Sequence, residues 1–239
     1  MLTITDWKTF FTDFATLYEN VPDEPAAALS REQCKAFFYR FGELHTLHKA
    51  QGRGVNVIEL AGVGQDELRN CSLLAWLLDC SGSHGQGVAF LHCFLDCVRQ
   101  SNCPEGFPIS ADISGSYRTT LESSYDEEEQ NGKQRSRVDI ELDGSAFLLF
   151  IEAKILSGEG EGQLARYLRI GNVRAGNRPW GLAFITRSGS QPSEADLCSK
   201  VACISWRTLG KRFLRHAKTI SETHGSVVIR QICEHFNNM

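Results

Sequence analysis

Two acidic residues and a lysine lie near the ends of two neighbouring predicted strands. Asp139 belongs to the first strand, and Glu152 and Lys154 end the second, a run from Ala146 that is otherwise apolar. Converging carboxylates at the end of a buried strand are costly unless a cation neutralises them, and hard divalent cations prefer oxygen ligands. Mg²⁺ or Mn²⁺ can polarise a phosphoryl oxygen and acidify a water molecule. With the lysine orienting that water or offsetting phosphate charge, the residues predict metal-assisted phosphodiester hydrolysis.

The geometry of a hairpin brings these side chains together. Side chains alternate along a strand, so the acid and the lysine of the second strand share a face. Asp143-Gly144 is a turn signal, and a two- or four-residue loop around it places Asp139 opposite Leu148 or Phe150, on the same face. With the four-residue loop, Asp139 and Glu152 are diagonal neighbours about 7 Å apart at Cβ, close enough to share an ion. The two-residue loop holds them farther apart.

The spacing of the three residues has a simpler interpretation. Asp139 could cap a strand while Glu152 and Lys154 form a surface ion pair, because this spacing recurs by chance. Their position favours the catalytic interpretation, since they end a strand too apolar on both faces to be exposed.

Hydrophobic periodicity divides the chain into elements that would position this centre. Strands are predicted over residues 55–60, 117–125, 138–142, 146–154, 181–186 and 201–205. Helices are predicted over residues 66–79, 88–99, 163–170, 206–218 and 226–236. The glycine-rich residues 82–87 form a turn, and the acidic, wholly polar residues 126–133 form an exposed loop joining two strands. Strands that alternate with helices predict an α/β fold with a mixed central sheet flanked by helices.

The N-terminal segment is helical by the same criteria. An aromatic helix begins after Thr5-Asp6, and a second begins at a capping box formed by Ser30 and Gln33. We therefore expect residues 1–54 to form a helical extension packed on a core of residues 55–239.

Composition narrows the class of protein. The formal net charge of −4 argues against bulk coating of nucleic acid, and no run approaches the roughly 18 apolar residues of a membrane helix. Nine cysteines without an export signal predict free thiols in a reducing cytoplasm. Local basic strips could contact phosphates, although solvated surface charge is the simpler interpretation of each one. These strips comprise Lys133, Arg135 and Arg137, then Arg166, Arg169, Arg174 and Arg178, then Lys211, Arg212, Arg215 and Lys218.

Three motifs in order resemble a known family. Val138-Asp139 followed by Ile151-Glu-Ala-Lys154 resembles the PD-(D/E)xK nuclease superfamily, with valine in place of the nominal proline. The stretch from Glu67 through Asn70 and Trp76 to Asp79, with the turn that follows it, looks like the opening of one bacterial branch. Gln163-x-x-x-Tyr167 looks like the signature of its RecB-like members. The resemblance runs from about Val55 to Lys211, and three ordered motifs are much more specific than one.

The resemblance implies a restriction-endonuclease-like core and a set of site residues. Asp139, Glu152 and the Ala153 carbonyl would bind the Mg²⁺ or Mn²⁺ ion. Lys154 would be the catalytic lysine, and Glu67 on the preceding helix would complete the site as a further metal ligand.

The residues around this centre leave alternatives open. Gln163 and Tyr167 share a helix face and could touch the lysine, the water or the substrate backbone, or could form a surface pair with the tyrosine packed on the sheet. Arg137, Arg166 and His84 are candidate nucleic-acid contacts, although His84 could serve only to cap or pack its turn.

Three functions compete at this stage. The first is an active cytoplasmic nuclease on DNA rather than RNA, since most relatives cut DNA, with the choice between monomer and homodimer open. The second is an inactive relative that uses the same cleft to bind nucleic acid or a protein. The third is a regulator with an aromatic interface, which exposure of Phe10, Phe14, Phe37 or Phe41 would support.

Overall fold

The computed structural model describes residues 30–50, 52, 55–113, 115–129 and 132–239. The predicted first helix, with Phe10 and Phe14, lies outside these residues. The chain divides into two units, Met1–Asn56 and Val57–Met239, close to the predicted boundary. Packing of the N-terminal segment on the core stays a prediction.

Helix α1, Arg31–Ala50, is the described element of the N-terminal unit. Its predicted capping box is confirmed, since the Ser30 N–H donates to Gln33 Oε1 and the Gln33 N–H donates to Ser30 Oγ. The helix exposes Phe41, as the interface hypothesis expects, and also Phe38 and Tyr39, whereas Phe37 is half-buried.

A five-stranded mixed sheet forms the centre of the second unit, in the order β1-β2-β3-β4-β5. The strands are β1 Tyr117–Glu129, β2 Gly132–Gly144, β3 Leu148–Ala153, β4 Trp180–Thr186 and β5 Ala202–Ser205. The first three strands pair antiparallel, and β3, β4 and β5 pair parallel. The predicted mixed sheet is confirmed.

Helices cover both faces of this sheet. They are α2 Val57–Leu60, α3 Glu67–Leu78, α4 Ala89–Arg99, α5 Gln163–Ala175, α6 Trp206–Ala217 and α7 His224–Asn237, with 3₁₀ turns at Pro108–Ser110 and Ala195–Leu197. One apolar cluster joins Ile151 and its neighbours on one sheet face to α3, α4, α6 and α7. The other joins Phe150 and its neighbours on the opposite face to α5. All six residues of β3 are buried, as expected of a central strand.

Two predicted elements are wrong. Residues 55–60 contain a helical turn, α2, because a short apolar run does not distinguish strand from helix; Ile58 is buried, and the Val57 N–H donates to Gln231 Oε1. The predicted loop over 126–133 is mostly strand, since β1 and β2 stay paired as far as Glu129 and Gly132. The sequence from 126 to 133 has no apolar residue, so it lacks the alternation that identifies a strand.

Helix α5 is longer than predicted. It continues from residue 170 to Ala175 and ends at Gly176, whose φ of 60° is readily adopted only by glycine. Gly171 allows this extension, because the Trp180 ring occupies the space of a Cβ atom there.

The state of the cysteines and the apolar length of the helices can be compared with the expectations from composition. All nine cysteines lie in the described part of the chain and are free thiols. No described helix is long and apolar enough to cross a membrane.

Gly210→Ala is expected to destabilise the fold by about 1–3 kcal/mol, as overpacking does. A Cβ atom at Gly210 of α6 would overlap the backbone of Phe236 and Asn237 in α7. Urea unfolding followed by circular dichroism measures the effect. Gly225→Ala in α7 is the matched control, because its nearest atom would be Thr223 Oγ1 at 3.7 Å. Equal stability of the two variants would show that the α6–α7 contact is loose.

Candidate active site

The β2–β3 hairpin sets the position of the acidic residues. Residues 144–147 form a four-residue loop, closed by a 3.0 Å hydrogen bond from the Gly144 N–H to the Phe147 carbonyl. Asp143 therefore pairs with Leu148, and Phe150 pairs with Glu141, not with Asp139 as predicted. Continuing the register places Asp139 directly opposite Glu152. Asp139 and Glu152 therefore share a face of the sheet, as predicted. The register differs by two residues from the one predicted for the four-residue loop, and this difference brings the two carboxylates closer together.

At the end of this hairpin the side chain of Asp139 accepts a hydrogen bond from the backbone of β3, in place of a backbone carbonyl. The ladder between β2 and β3 extends to Ile140 and Ile151, and beyond it the Ala153 N–H donates to Asp139 Oδ2 at 2.9 Å. The N–H and C=O of one strand residue point to the same side, so the Ala153 carbonyl also faces Asp139. The Asp139 carboxylate and the Ala153 carbonyl, two of the predicted metal ligands, therefore lie next to each other.

The strand on the other side of Asp139 is distorted. Glu122 of β1 stands opposite Asp139, and its φ of 53° is the single positive φ at a non-glycine position among the described residues. Its carboxylate pairs with Arg137 at 2.8 Å. Residues in sparsely populated backbone regions cluster at functional sites. The positive φ of Glu122, next to Asp139, fits this tendency.

Glu152 is the most buried acid of the site, with no exposed surface. Its Oε1 accepts from Lys154 Nζ and from Gln163 Nε2, each at 2.7 Å. Its Oε2 is buried without a hydrogen-bond partner in the described part of the protein. Burial, and after it the charge of Asp139, raise the pKa of Glu152 to about 8 against the opposing effect of Lys154. A buried carboxylate oxygen without a partner is costly, and a cation bound to it would remove that cost.

Lys154 lies between acidic groups at the end of β3. Its Nζ is 2.7 Å from Glu152 Oε1 and 3.9 Å from Glu67 Oε2. Burial lowers the pKa of Lys154, but the neighbouring charges of Glu152, Asp139 and Glu67 outweigh that effect and raise it. The lysine is therefore an ammonium at neutral pH. Its backbone is also held, since its N–H donates to the Ile185 carbonyl and its carbonyl accepts from Trp206 Nε1.

Glu67, the first residue of α3, binds the loop that follows β3. Its Oε1 accepts from the N–H groups of residues 155, 156 and 157 at 3.0–3.3 Å and from Ser157 Oγ at 2.7 Å. Burial favours the protonated acid, but the hydrogen bonds from Ser157 and its neighbours lower the pKa overall. Glu67 thus lies at the predicted site as an ionised anchor for this loop. No sequence motif indicated the role of Ser157.

Gln163 and Tyr167 connect α5 to the centre. Gln163 Nε2 donates both to Glu152 Oε1 and to the Tyr167 hydroxyl, the latter at 2.8 Å, and its Oε1 accepts from the Gly160 N–H. Tyr167 is buried against the sheet, and its hydroxyl donates to the Arg137 carbonyl. Burial raises the pKa of Tyr167, so it remains a neutral donor. The pair therefore packs on the sheet and also touches the acidic centre.

The three candidate nucleic-acid residues have different surroundings. Arg137 is exposed and paired with Glu122, whereas Arg166 is half-buried and donates to the Glu161 carbonyl. His84 is buried, and its ring nitrogens contact the Asp79 carbonyl and the Gln86 N–H. His84 therefore stabilises its own turn.

The donor set fits a hard divalent cation. Mg²⁺ is commonly held by one or two carboxylates and completes its shell with water and substrate oxygens. Asp139, the orphaned Oε2 of Glu152 and the Ala153 carbonyl provide such oxygens. Within the described ranges no three His, Cys, Asp or Glu side chains cluster as a metal cage.

Comparison with known proteins agrees with this geometry. A family model described as the PD-(D/E)XK nuclease superfamily matches residues 55–231, about three quarters of the chain, and the match contains every site residue described above. No curated protein and no solved structure matches the chain. From Val55 through the β2–β3 hairpin to α7, the chain belongs to the PD-(D/E)XK nuclease superfamily.

Proposed function

We propose that this protein is a divalent-metal-dependent nuclease that hydrolyses phosphodiester bonds, with DNA as the favoured substrate. The observation that carries the proposal is Glu152 Oε2, which is fully buried beside Asp139 and lacks a partner among the described residues. Membership of the nuclease superfamily supports the same conclusion. The free thiols agree with a cytoplasmic protein.

Asp139, Glu152 and the Ala153 carbonyl would hold the ion, Mg²⁺ or Mn²⁺. When bound, such an ion supplies Lewis-acid polarisation of a phosphoryl oxygen and lowers the pKa of a water molecule. The protein has already desolvated the two carboxylates, which strengthens their attraction for a cation.

Lys154 would act on the reacting phosphate. Its ammonium is protonated and fixed by Glu152 Oε1, so it can donate to a non-bridging phosphate oxygen or to the attacking water. A preoriented charge of this kind stabilises negative charge as it develops, without rearrangement during the reaction.

The remaining residues would position this pair. Gln163 and Lys154 both occupy Glu152 Oε1, which leaves Oε2 for the ion. Glu67 fixes the loop that starts at residue 155 and adds a third negative charge near the ammonium.

The alternatives are less well supported. An inactive relative that only binds nucleic acid or a protein has no need of an intact lysine between two carboxylates. Exposure of Phe38, Tyr39 and Phe41 favours an interface on α1, but that helix lies outside the matched region and is compatible with an active core.

The test is a cleavage assay on the purified chain. Labelled single- and double-stranded DNA and RNA are incubated with Mg²⁺, with Mn²⁺, or with a chelator. We expect cleavage of DNA that requires the metal and exceeds cleavage of RNA. Preference for RNA would correct the substrate, and no metal-dependent cleavage of any of the four would contradict the function.

A further inference from the structure

A polar cavity of about 900 Å³ lies beside the edge of the sheet, away from the centre described above. It is lined by residues of β1, β2 and the C-terminal end of α5. Three of them are arginines, Arg118, Arg174 and Arg178, and five are serine or threonine residues, while the acids are Glu141 and Asp143. Arginine and hydroxyl side chains are the groups that contact phosphate and sugar in nucleic-acid complexes.

The two acids of this cavity are already paired with internal donors. Glu141, which is almost fully buried, accepts from the Tyr125 hydroxyl and from Arg174. Asp143 accepts from Arg174 at 2.9 Å and from Arg178 at 2.7 Å. These carboxylates therefore orient the guanidinium groups, as supporting residues do in prebuilt binding sites.

Donors for a ligand remain after these contacts. The bonds of Arg174 to Glu141 and Asp143 use Nε and Nη2, which leaves the two N–H groups of Nη1, and its side chain is 43% exposed. Arg118 is exposed and stands opposite Asp143 in the β1–β2 register. Three guanidinium groups against two carboxylates give the cavity one excess positive charge. The surplus of donors and charge selects an anionic ligand.

The cavity and the centre are on the same face of the sheet and under the same helix. Glu141 and Asp143 follow Asp139 at alternate positions of β2, opposite Phe150 and Leu148. Asp143 is thus about 13 Å from Asp139 along the strand. On α5, Arg174 lies eleven residues after Gln163, about 16 Å along the axis. A nucleic-acid duplex advances about 3.4 Å per nucleotide, so this distance spans about four to five nucleotides.

We propose that this cavity is a subsite for a backbone phosphate of the substrate strand, four to five nucleotides from the bond that is cut. The inference rests on the proposed nuclease function and adds a length requirement to it. A substrate that reaches both sites gains the contacts of Arg118 and Arg174, whereas a very short one does not.

Fluorescence anisotropy of the full chain in Ca²⁺ tests the subsite without requiring cleavage. The probes are a labelled 20-base-pair DNA duplex, a 20-base-pair RNA duplex and a single-stranded DNA of 3 nucleotides, which is too short to reach both sites. We expect Arg118→Ala to weaken binding of the 20-base-pair DNA about tenfold and to reduce its salt dependence by about one phosphate contact. Arg118→Glu should weaken binding further, and binding of the 3-nucleotide strand should be unchanged by either variant.

Arg99→Ala is the matched control, since Arg99 is an exposed arginine on α4, which covers the opposite face of the sheet. Wild-type affinity of Arg118→Glu for the long duplexes would overturn the subsite, as would an equal loss in Arg99→Ala or on the short strand. Absence of binding by the wild-type chain would also overturn it. Binding that depends on Arg118 without any cleavage would retain the subsite and reject the proposed catalysis. Comparison of the DNA and RNA duplexes identifies which backbone the cavity accepts.

Discussion

Lys154→Ala is expected to reduce metal-dependent DNA cleavage by at least about 100- to 1000-fold, the loss typical of removing one preorganised transition-state donor. The substitution removes the ammonium that lies 2.7 Å from Glu152 Oε1, and no other lysine or arginine is paired with that carboxylate in the described residues. The fold should persist, because the backbone bonds of Lys154 to Ile185 and Trp206 do not depend on its side chain.

Initial cleavage rates with circular dichroism spectra of the same samples measure this prediction. Lys200→Ala is the matched control, since Lys200 is an exposed lysine that precedes β5. Lys154→Arg should recover little activity, because a planar guanidinium does not reproduce the compact ammonium. A folded Lys154→Ala variant that cleaves at the wild-type rate would remove Lys154 from the mechanism.

Glu152→Gln is expected to abolish stabilisation of the protein by Mn²⁺. A ligand that binds only the folded state, at a concentration about 100 times its Kd, stabilises that state by about 2.7 kcal/mol. Thermal unfolding records this as an increase in Tm. The amide keeps the shape of the side chain but removes the charge that would hold the ion. Glu222→Gln, at an exposed position, should retain the full shift. An undiminished Mn²⁺ shift in Glu152→Gln would exclude Glu152 as a ligand.

Without metal, the wild-type protein and Glu152→Gln should differ in how their stability depends on pH. Burial raises the pKa of Glu152 from 4.5 to about 8, so the folded state binds its proton more tightly than the unfolded state does. The contribution of this proton is complete below pH 4.5, falls as the pH rises and is lost above about pH 8. Glu152→Gln should therefore flatten the stability of the metal-free protein between those limits. An identical slope in wild type and variant would mean that Glu152 ionises normally.

Much of the site could be predicted because the chemistry and the strand pattern agree. Asp139, Glu152 and Lys154 follow from side-chain alternation and from the apolar run that precedes them. Helical spacing also predicted that Gln163 and Tyr167 share a face near the lysine, but the partner of Gln163 is Glu152, which the sequence did not indicate. Their catalytic roles are the part that remains to be tested.

Other features depend on contacts that the sequence does not encode locally. The hairpin register required the exact start of the loop, and Gly144 alone does not distinguish a loop at residues 143–144 from one at 144–147. Glu67 was expected at the site, but its bonds to residues 155–157 join positions almost ninety apart in the chain. Trp206 and the pairs of Arg174 with Glu141 and Asp143 likewise join distant elements and belong to no motif.

The backbone of Lys154 is tied on both sides, to Ile185 in β4 and to the buried Trp206 of α6. This pair of bonds has a consequence for motion in the site. The amide of Lys154 should be among the slowest to exchange its hydrogen with solvent, opening only with the core of the sheet. Any faster rearrangement that admits a substrate must then occur in side-chain torsions and in the segment between residues 155 and 162, while the strand itself serves as a fixed reference.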